Sequence, residues 1–485
     1  MPNTSIWRKK PIAAYQADAK RNDLKRVLTR WGLTSLGIGA IIGGGIFTLT
    51  GIAAHDHAGP ALAISFIVAG IGCLFASLCY AEFASVLPVE GSAYAYAYGT
   101  VGELFAWFIG WNLVLEYMMG ATTVAVAWSG YFTKLLKLFH IHIPDWLNND
   151  PVTYGGFAFN LPAFVITWVV TWILVKGIKE AASTNNLIVI LKVAVVLFVI
   201  IAGAFYVDTA NWSPFVPEPV IDAQGVSHFG WPGVLTAATI VFFAYIGFDA
   251  VSTQAGEAIN PKKDVPFAII ASLIICTILY ILVSLVLTGM VPYTSLDLKA
   301  PVASAFSGAG ITWAVYLITI AATAGLTSVM LVMMLGQTRI FLGMAKDGLL
   351  PKSLFGAIHP KFQTPWKSTI LVGGIVSVVA ATTPIERVSE MCSMGTLLAF
   401  AMVSGAVLIL RIREPQLERP YKTPFIYFVA PMGVLFNLFL MTQVRINTWY
   451  AFVIWGTIGL IVYFAYSRQT SNLNKPGYYS GDQNV

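Results

Sequence analysis

Apolar runs bounded by turn residues divide the chain at roughly 33–54, 61–86, 103–131, 160–175, 185–205, 230–257, 265–290, 311–338, 368–381, 391–410, 423–442 and 448–467. A helix needs about 20 apolar residues to cross the hydrocarbon of a bilayer. None of these runs shows the strict alternation of a barrel strand, so closed helices are the spanning element. The pattern predicts an all-α integral membrane protein with twelve transmembrane helices.

Composition supports that reading. Of 485 residues, 57% are apolar and 11% charged, and the mean hydropathy is +0.73. Soluble domains are about 45–50% apolar and about 25% charged. A water-soluble enzyme, a nucleic-acid binder and a disordered chain are all excluded. Cys73, Cys79, Cys276 and Cys392 lie in apolar stretches and read as small buried hydrophobes. No metal cluster and no cofactor motif is visible. His55 and His57 make a short external pair, too little to specify a metal. The first thirty residues are polar and basic, and no signal peptide is expected.

The loops divide unequally by charge. Counting alternate connections, 23 Lys and Arg fall on the side of the termini and five on the other. Cytoplasmic loops collect Lys and Arg, so both termini are expected in the cytoplasm of a multi-pass cell-membrane protein. Lys192 belongs to neither side. The basic N-terminus reads as an orientation determinant with a solvated tail, with a lipid or partner-binding arm as the alternative.

Two spans are interrupted. The first reads Gly39-Ala40-Ile41-Ile42-Gly43-Gly44-Gly45-Ile46-Phe47. Each glycine costs a helix about 1 kcal/mol against alanine. Three in succession invite unwinding, which lipid tolerates only against protein or a water-filled cavity. Close helix packing accounts for Gly37 and Gly39 but less easily for the triplet. The sixth span carries Phe242-Phe243-Ala244-Tyr245-Ile246-Gly247-Phe248-Asp249. These interruptions open corresponding five-span halves, the layout that points to a transporter binding site. Free N–H groups near Gly44 and Gly45, at the positive end of a half-helix, suit a carboxylate. Freed carbonyls near Phe243, Ala244 and Ile246 suit an ammonium. Together they describe an α-amino acid.

Gly-Ala-Ile-Ile-Gly-Gly-Gly-Ile-Phe at 39–47, Phe-Phe-Ala-Tyr-Ile-Gly-Phe-Asp at 242–249 and Gly-Gln-Thr-Arg-Ile at 336–340 resemble the amino acid–polyamine–organocation (APC) superfamily. The resemblance is to its bacterial branch similar to the cationic amino acid transporters, and it runs from about residue 25 to 467. It implies the leucine-transporter-type fold, a five-plus-five inverted repeat followed by two extra helices, with spans one and six broken. Residues 1–32 then form a basic cytoplasmic tail and 33–410 a ten-helix core with repeats at 33–205 and 230–410. Two additional helices occupy 411–467, and 468–485 is the C-terminal tail. The substrate-binding residues implied are Ile41, Ile42, Gly43, Gly44 and Gly45 with Phe243, Ala244, Ile246 and Met333. The family's commoner motif has Ser or Thr where this chain has Gly44, which leaves only backbone donors for the carboxylate.

Ionisable groups inside spans are expensive and are functional suspects by default. Lys192, within Ile188-Val189-Ile190-Leu191-Lys192-Val193-Ala194-Val195-Val196, lies far from either end of its run. It reads either as a structural ammonium held by carbonyls or as a proton carrier, because burial penalises the charged form. Related proton-coupled transporters carry a fifth-span lysine against the unwound first span, and Lys192 matches it. Glu116 matches a third-span glutamate near the site, as a proton acceptor or as a hydrogen-bonded brace. Asp249 is expected to brace the broken helix, and Glu82 and Glu257 to lie near helix ends. Met330 and Met333 pack in the core or line the side-chain pocket; the resemblance favours Met333, whose bulk suits a small neutral amino acid.

The reading these residues support is a secondary transporter that imports an L-amino acid with protons by alternating access, among membrane lipids and without nucleic acid. A channel or an amino acid sensor is the alternative. Channels usually need symmetric rings of repeated residues, and the two halves here are not identical. A sensor would look the same in sequence.

Overall fold

The computed structural model describes residues 7–11, 28–86, 92–177, 181–221, 227–252 and 258–475. Among these, eight helical segments are long and apolar enough to cross a membrane, and three shorter apolar helices accompany them. The first span is split. Its first half, α1 (Arg30–Ile41), starts at Thr29, whose side chain caps the Gly32 N–H. Its second half is a succession of π, α and 3-10 turns from Gly45 to Ala61. There follow α2 (Leu62–Val86), α3 (Ser92–Thr100), α4 (Glu103–Leu138), α5 (Leu161–Lys176), α6 (Ala181–Ala204) and α7 (Gly230–Phe242). The remaining helices are α8 (Pro261–Met290), α9 (Pro301–Gly308), α10 (Thr312–Lys346), α11 (Trp366–Thr382), α12 (Ile385–Arg413), α13 (Ile426–Thr442) and α14 (Ile446–Val462).

Several helices outrun their apolar stretches. The α4 helix continues to Leu138 and α10 to Lys346, beyond the expected ends at 131 and 338. Hydropathy marks where a helix is dry, whereas its hydrogen bonds continue until a cap or a breaker stops them. The start of α5 is closer to expectation: Asn160 caps the Ala163 N–H, and Pro162 stands in the first turn.

At the centre lies α4, packed against α10 on one side and α12 on another. The α8 helix lies along both α1 and α2, and α6 bridges α1 and α10. Gly39 makes that approach possible, since a Cβ there would lie 2.2 Å from Val189 Cγ2 on α6.

Part of the N-terminal segment is not a solvated tail. Arg8 and Lys10 are buried. Lys10 N–H donates to Tyr98 O at 3.0 Å, and Glu103 N–H donates to Arg8 O at 2.9 Å. Side chains tighten the strap: Arg8 pairs with Glu103 at 2.7 Å and Lys10 with Asp347 at 3.2 Å. Glu103 also accepts from Tyr98 and Tyr463, each at 3.1 Å. Charge density alone does not distinguish such a strap from an orientation signal, because both require basic residues in the same place. Glu82, expected near a helix end, accepts from Arg411 at 2.6 Å and from the Thr423 N–H at 2.8 Å, joining α2 to the α12–α13 connection. Glu257 lies outside the described residues.

Candidate functional site

The first interruption begins after Ile41. Ile42 is extended (φ −70°, ψ 103°), and Gly45 opens the π turn Gly45–Leu49. An unwound backbone inside an apolar protein must find new hydrogen-bond partners. It finds them on three other helices. Lys192 Nζ on α6 donates to Gly39 O at 2.8 Å. Tyr280 Oη on α8 donates to Ile41 O at 2.9 Å, and Tyr131 Oη on α4 donates to Phe47 O at 2.6 Å.

The sixth span breaks differently. The α7 helix ends at Phe242, a 3-10 turn covers Phe243–Tyr245, and Ile246 is extended (φ −61°, ψ 133°). Gly247 takes φ +120°, a conformation that side chains with a Cβ rarely adopt. Local backbone closes part of this turn: Ile246 N–H donates to Phe243 O at 3.2 Å and Ala250 N–H to Gly247 O at 3.1 Å. Among the described residues, no side chain of a neighbouring helix donates to the carbonyls of Phe243, Ala244 or Ile246.

These two breaks lie directly against each other. A Cβ on Gly45 would fall 2.3 Å from Ala244 Cα, and one on Gly247 would fall 2.9 Å from the Ala40 carbonyl. The stretch Ile41, Ile42, Gly43, Gly44 and Gly45 is therefore brought beside Phe243, Ala244 and Ile246, all of them buried. Gly44 is the least constrained of the triplet: its nearest neighbour to a Cβ would be Ala127 Cβ at 3.5 Å.

Lys192 is 1% exposed, and its aliphatic stem runs past Gly325 of α10, where a Cβ would come within 3.1 Å. Met333 is buried on α10, one turn beyond Val329, which stands 3.1 Å from where a Gly43 Cβ would be; its Sδ is 3.5 Å from where a Gly120 Cβ would stand, beside Cys392. Glu116 lies one turn before Gly120 on α4. Neither of its carboxylate oxygens has a hydrogen-bond partner. The Thr396 hydroxyl acts on it but donates instead to Cys392 O at 3.0 Å. Asp249 is likewise buried, and the N–H groups of Gly247, Asp249 and Ala250 act on it without reaching hydrogen-bond geometry.

Sequence reasoning passed over Tyr280, Tyr131 and Tyr80. Each is a tyrosine within an apolar run, and a buried hydroxyl in need of an acceptor was the available signal; Tyr280 and Tyr131 find one and Tyr80 does not. Which acceptor it finds is decided by packing between helices distant along the chain.

The profile of the family described as "Amino acid permease" matches residues 28–465. The "Branched-chain amino acid permease BcaP" of Bacillus subtilis (strain 168) is similar, 46% identical over 475 residues, 97% of this chain and 99% of its own. The "Methylthioribose transporter" of the same organism is 44% identical over 472 residues, 97% of this chain and 100% of its own. The "Cationic amino acid transporter 4, vacuolar" of Arabidopsis thaliana is 38% identical over 397 residues, 81% of this chain and 64% of its own.

Proposed function

Because the chain belongs to the amino acid permease family, within the APC superfamily, and is a multi-pass membrane transport protein rather than an enzyme, we propose that it imports an L-amino acid together with protons by alternating access. The helices are read as twelve spans, a five-plus-five inverted repeat with two more after it. The repeats run over 33–205 and 230–410, and the added helices over 411–467. Both termini lie in the cytoplasm, at 1–32 and 468–485, an orientation the Lys and Arg asymmetry of the loops supports, and the membrane is the cell membrane.

The substrate lies between the breaks. Its carboxylate takes the backbone around Ile41–Gly45 at the start of the outer half-helix, where the dipole favours an anion. Its ammonium takes the carbonyls of Phe243, Ala244 and Ile246. Met333 closes the side-chain end, which suits a small or branched apolar side chain. Similarity to a branched-chain amino acid permease supports this class. Similarity to a methylthioribose transporter favours a second reading, a thio-sugar substrate. Such a molecule carries neither carboxylate nor ammonium, so the two readings make opposite demands on the paired breaks.

One observation carries the coupling: Lys192 Nζ donates to Gly39 O at 2.8 Å, in the last turn before the first break. When charged, the ammonium ties α6 to that turn. On losing its proton it loses the charge and a donor, and the inner half-helix is freed to move. A ligand or proton shifts a two-state equilibrium only by its differential interaction with the states, and this contact is such a difference.

Uptake of labelled branched-chain amino acids into proteoliposomes, in Na+-free buffer with a pH gradient, tests the reading, with methylthioribose as competitor. Accumulation is expected to follow the inward proton gradient. Lys192→Ala should lose accumulation while keeping exchange, and Lys192→Arg should fail as well, since arginine does not release its proton. Proton-driven accumulation by either variant would make Lys192 structural and leave Glu116 as the carrier to be tested.

A further inference from the structure

Near the breaks, on the α2, α3, α4 and α12 side, lies a cluster of buried polar groups that the paired breaks do not use. Glu116 on α4 and Asp249 in the sixth span are each 1% exposed, and all four of their carboxylate oxygens are without a hydrogen-bond partner. The two side chains act on each other electrostatically. No described Lys, Arg or His is among the groups acting most strongly on either. By contrast, the buried carboxylates of Glu82, Glu103 and Glu390 each hold a cationic partner within 3.3 Å.

A second observation points into the same place. Tyr80 on α2 and Tyr96 on α3 are fully buried, and neither hydroxyl reaches hydrogen-bond geometry; the Ser252 hydroxyl acts on Tyr96 but donates to Asp249 O at 2.6 Å. Tyr80 interacts electrostatically with both carboxylates, and Tyr96 with Asp249. The other titratable groups facing the pair are Tyr117 on α4 and Cys392 on α12. No cationic side chain is among the described groups that act on the two acids.

Two unpaired carboxylates held close together out of water cannot both keep a negative charge without a cation. Hydroxyl oxygens beside them add acceptors of the kind a small cation needs. The set offers too few strong ligands for a divalent ion, and no group of three or more His, Cys, Asp and Glu that could hold a metal occurs among the described residues. We infer that Glu116 and Asp249, framed by Tyr80 and Tyr96, form a site for one monovalent positive charge, a shared proton or an alkali cation such as Na+. This site deepens the proposed transport reading by adding a charge site distinct from Lys192. It links α4 to the inner limb of the sixth span, so filling or emptying it biases the position of that limb.

Infrared spectroscopy of the substrate-free protein in lipid nanodiscs tests this without using transport, so that failure of this site and failure of proton-coupled import are separable. In Na+-free choline buffer near neutral pH, a protonated carboxyl C=O band is expected. It should be lost in the double variant Glu116→Gln, Asp249→Asn and kept in Lys192→Ala. Added NaCl distinguishes the sources: loss of the band on Na+ addition assigns an alkali cation that displaces the proton, and persistence assigns the proton alone. Absence of the band in the unmodified protein in Na+-free buffer overturns the proposal, as does an undiminished band in the double variant. The unmodified-protein arm stands even where the double variant does not fold.

Discussion

Lys192, Tyr280 and Tyr131 come from three different helices to occupy the carbonyls around the first break, whereas the sixth span turns on Gly247 and closes part of its break with its own backbone. One break is held from outside and the other from within. The difference separates two tasks that an interrupted helix can perform. A break whose carbonyls belong to side chains responds to what happens to those side chains, and one of them is a lysine able to change charge. At the sixth break the carbonyls of Phe243, Ala244 and Ile246 receive no side-chain donor among the described residues, and Phe243 O accepts from the Ile246 N–H. The proposed function assigns coupling to the first break and ammonium recognition to the sixth.

The comparison breaks most completely at Gly45, where the two interruptions touch. Gly45→Val adds atoms that collide with the Ala244 backbone and should separate the breaks. Amino acid affinity, followed by thermal-shift titration, is expected to fall at least tenfold, or about 1.4 kcal/mol, in a protein that still folds. Unchanged affinity would remove the carboxylate assignment at Ile41–Gly45. Gly247→Ala probes the self-held break. Its φ of +120° is strained for alanine, and the added Cβ meets the Ala40 carbonyl. A stability loss of about 1–3 kcal/mol is expected, read as a lower unfolding temperature in nanodiscs. An unaltered transition would mean that the turn adapts without its glycine. The smallest effect belongs to Gly44→Ala, because its Cβ meets only ordinary contacts. Stability should change by no more than about 0.5 kcal/mol, and substrate affinity should hold within a few fold. A large loss of affinity with stability intact would put the substrate directly against Gly44.

Much of the site was legible because its signals are local. Three adjacent glycines, a glycine beside an intramembrane acid and a lysine in an apolar run each break a rule that holds over a single helix. Hydropathy and loop charge likewise place the helices and suggest their orientation without knowledge of any partner. The expected solvated N-terminus was less well read, since the burial of Arg8 and Lys10 depends on Glu103 and Asp347 far along the chain.

The sequence by itself determined that this chain is a membrane protein built of helices, that its first and sixth spans are interrupted, and that Lys192 lies where an ammonium is costly. Tertiary structure alone decided which carbonyl Lys192 takes, that Gly45 meets Ala244, that tyrosines from α4 and α8 complete the first break, and that Glu116 and Asp249 act on each other with no cationic partner among the described residues. The physical reason is range. Hydropathy, helix propensity and the cost of a buried charge act within a turn or a span, so they can be read along the chain. Hydrogen-bond partners and ion pairs between spans form only after helices distant in sequence pack together, and that packing fixes the direction in which each side chain points.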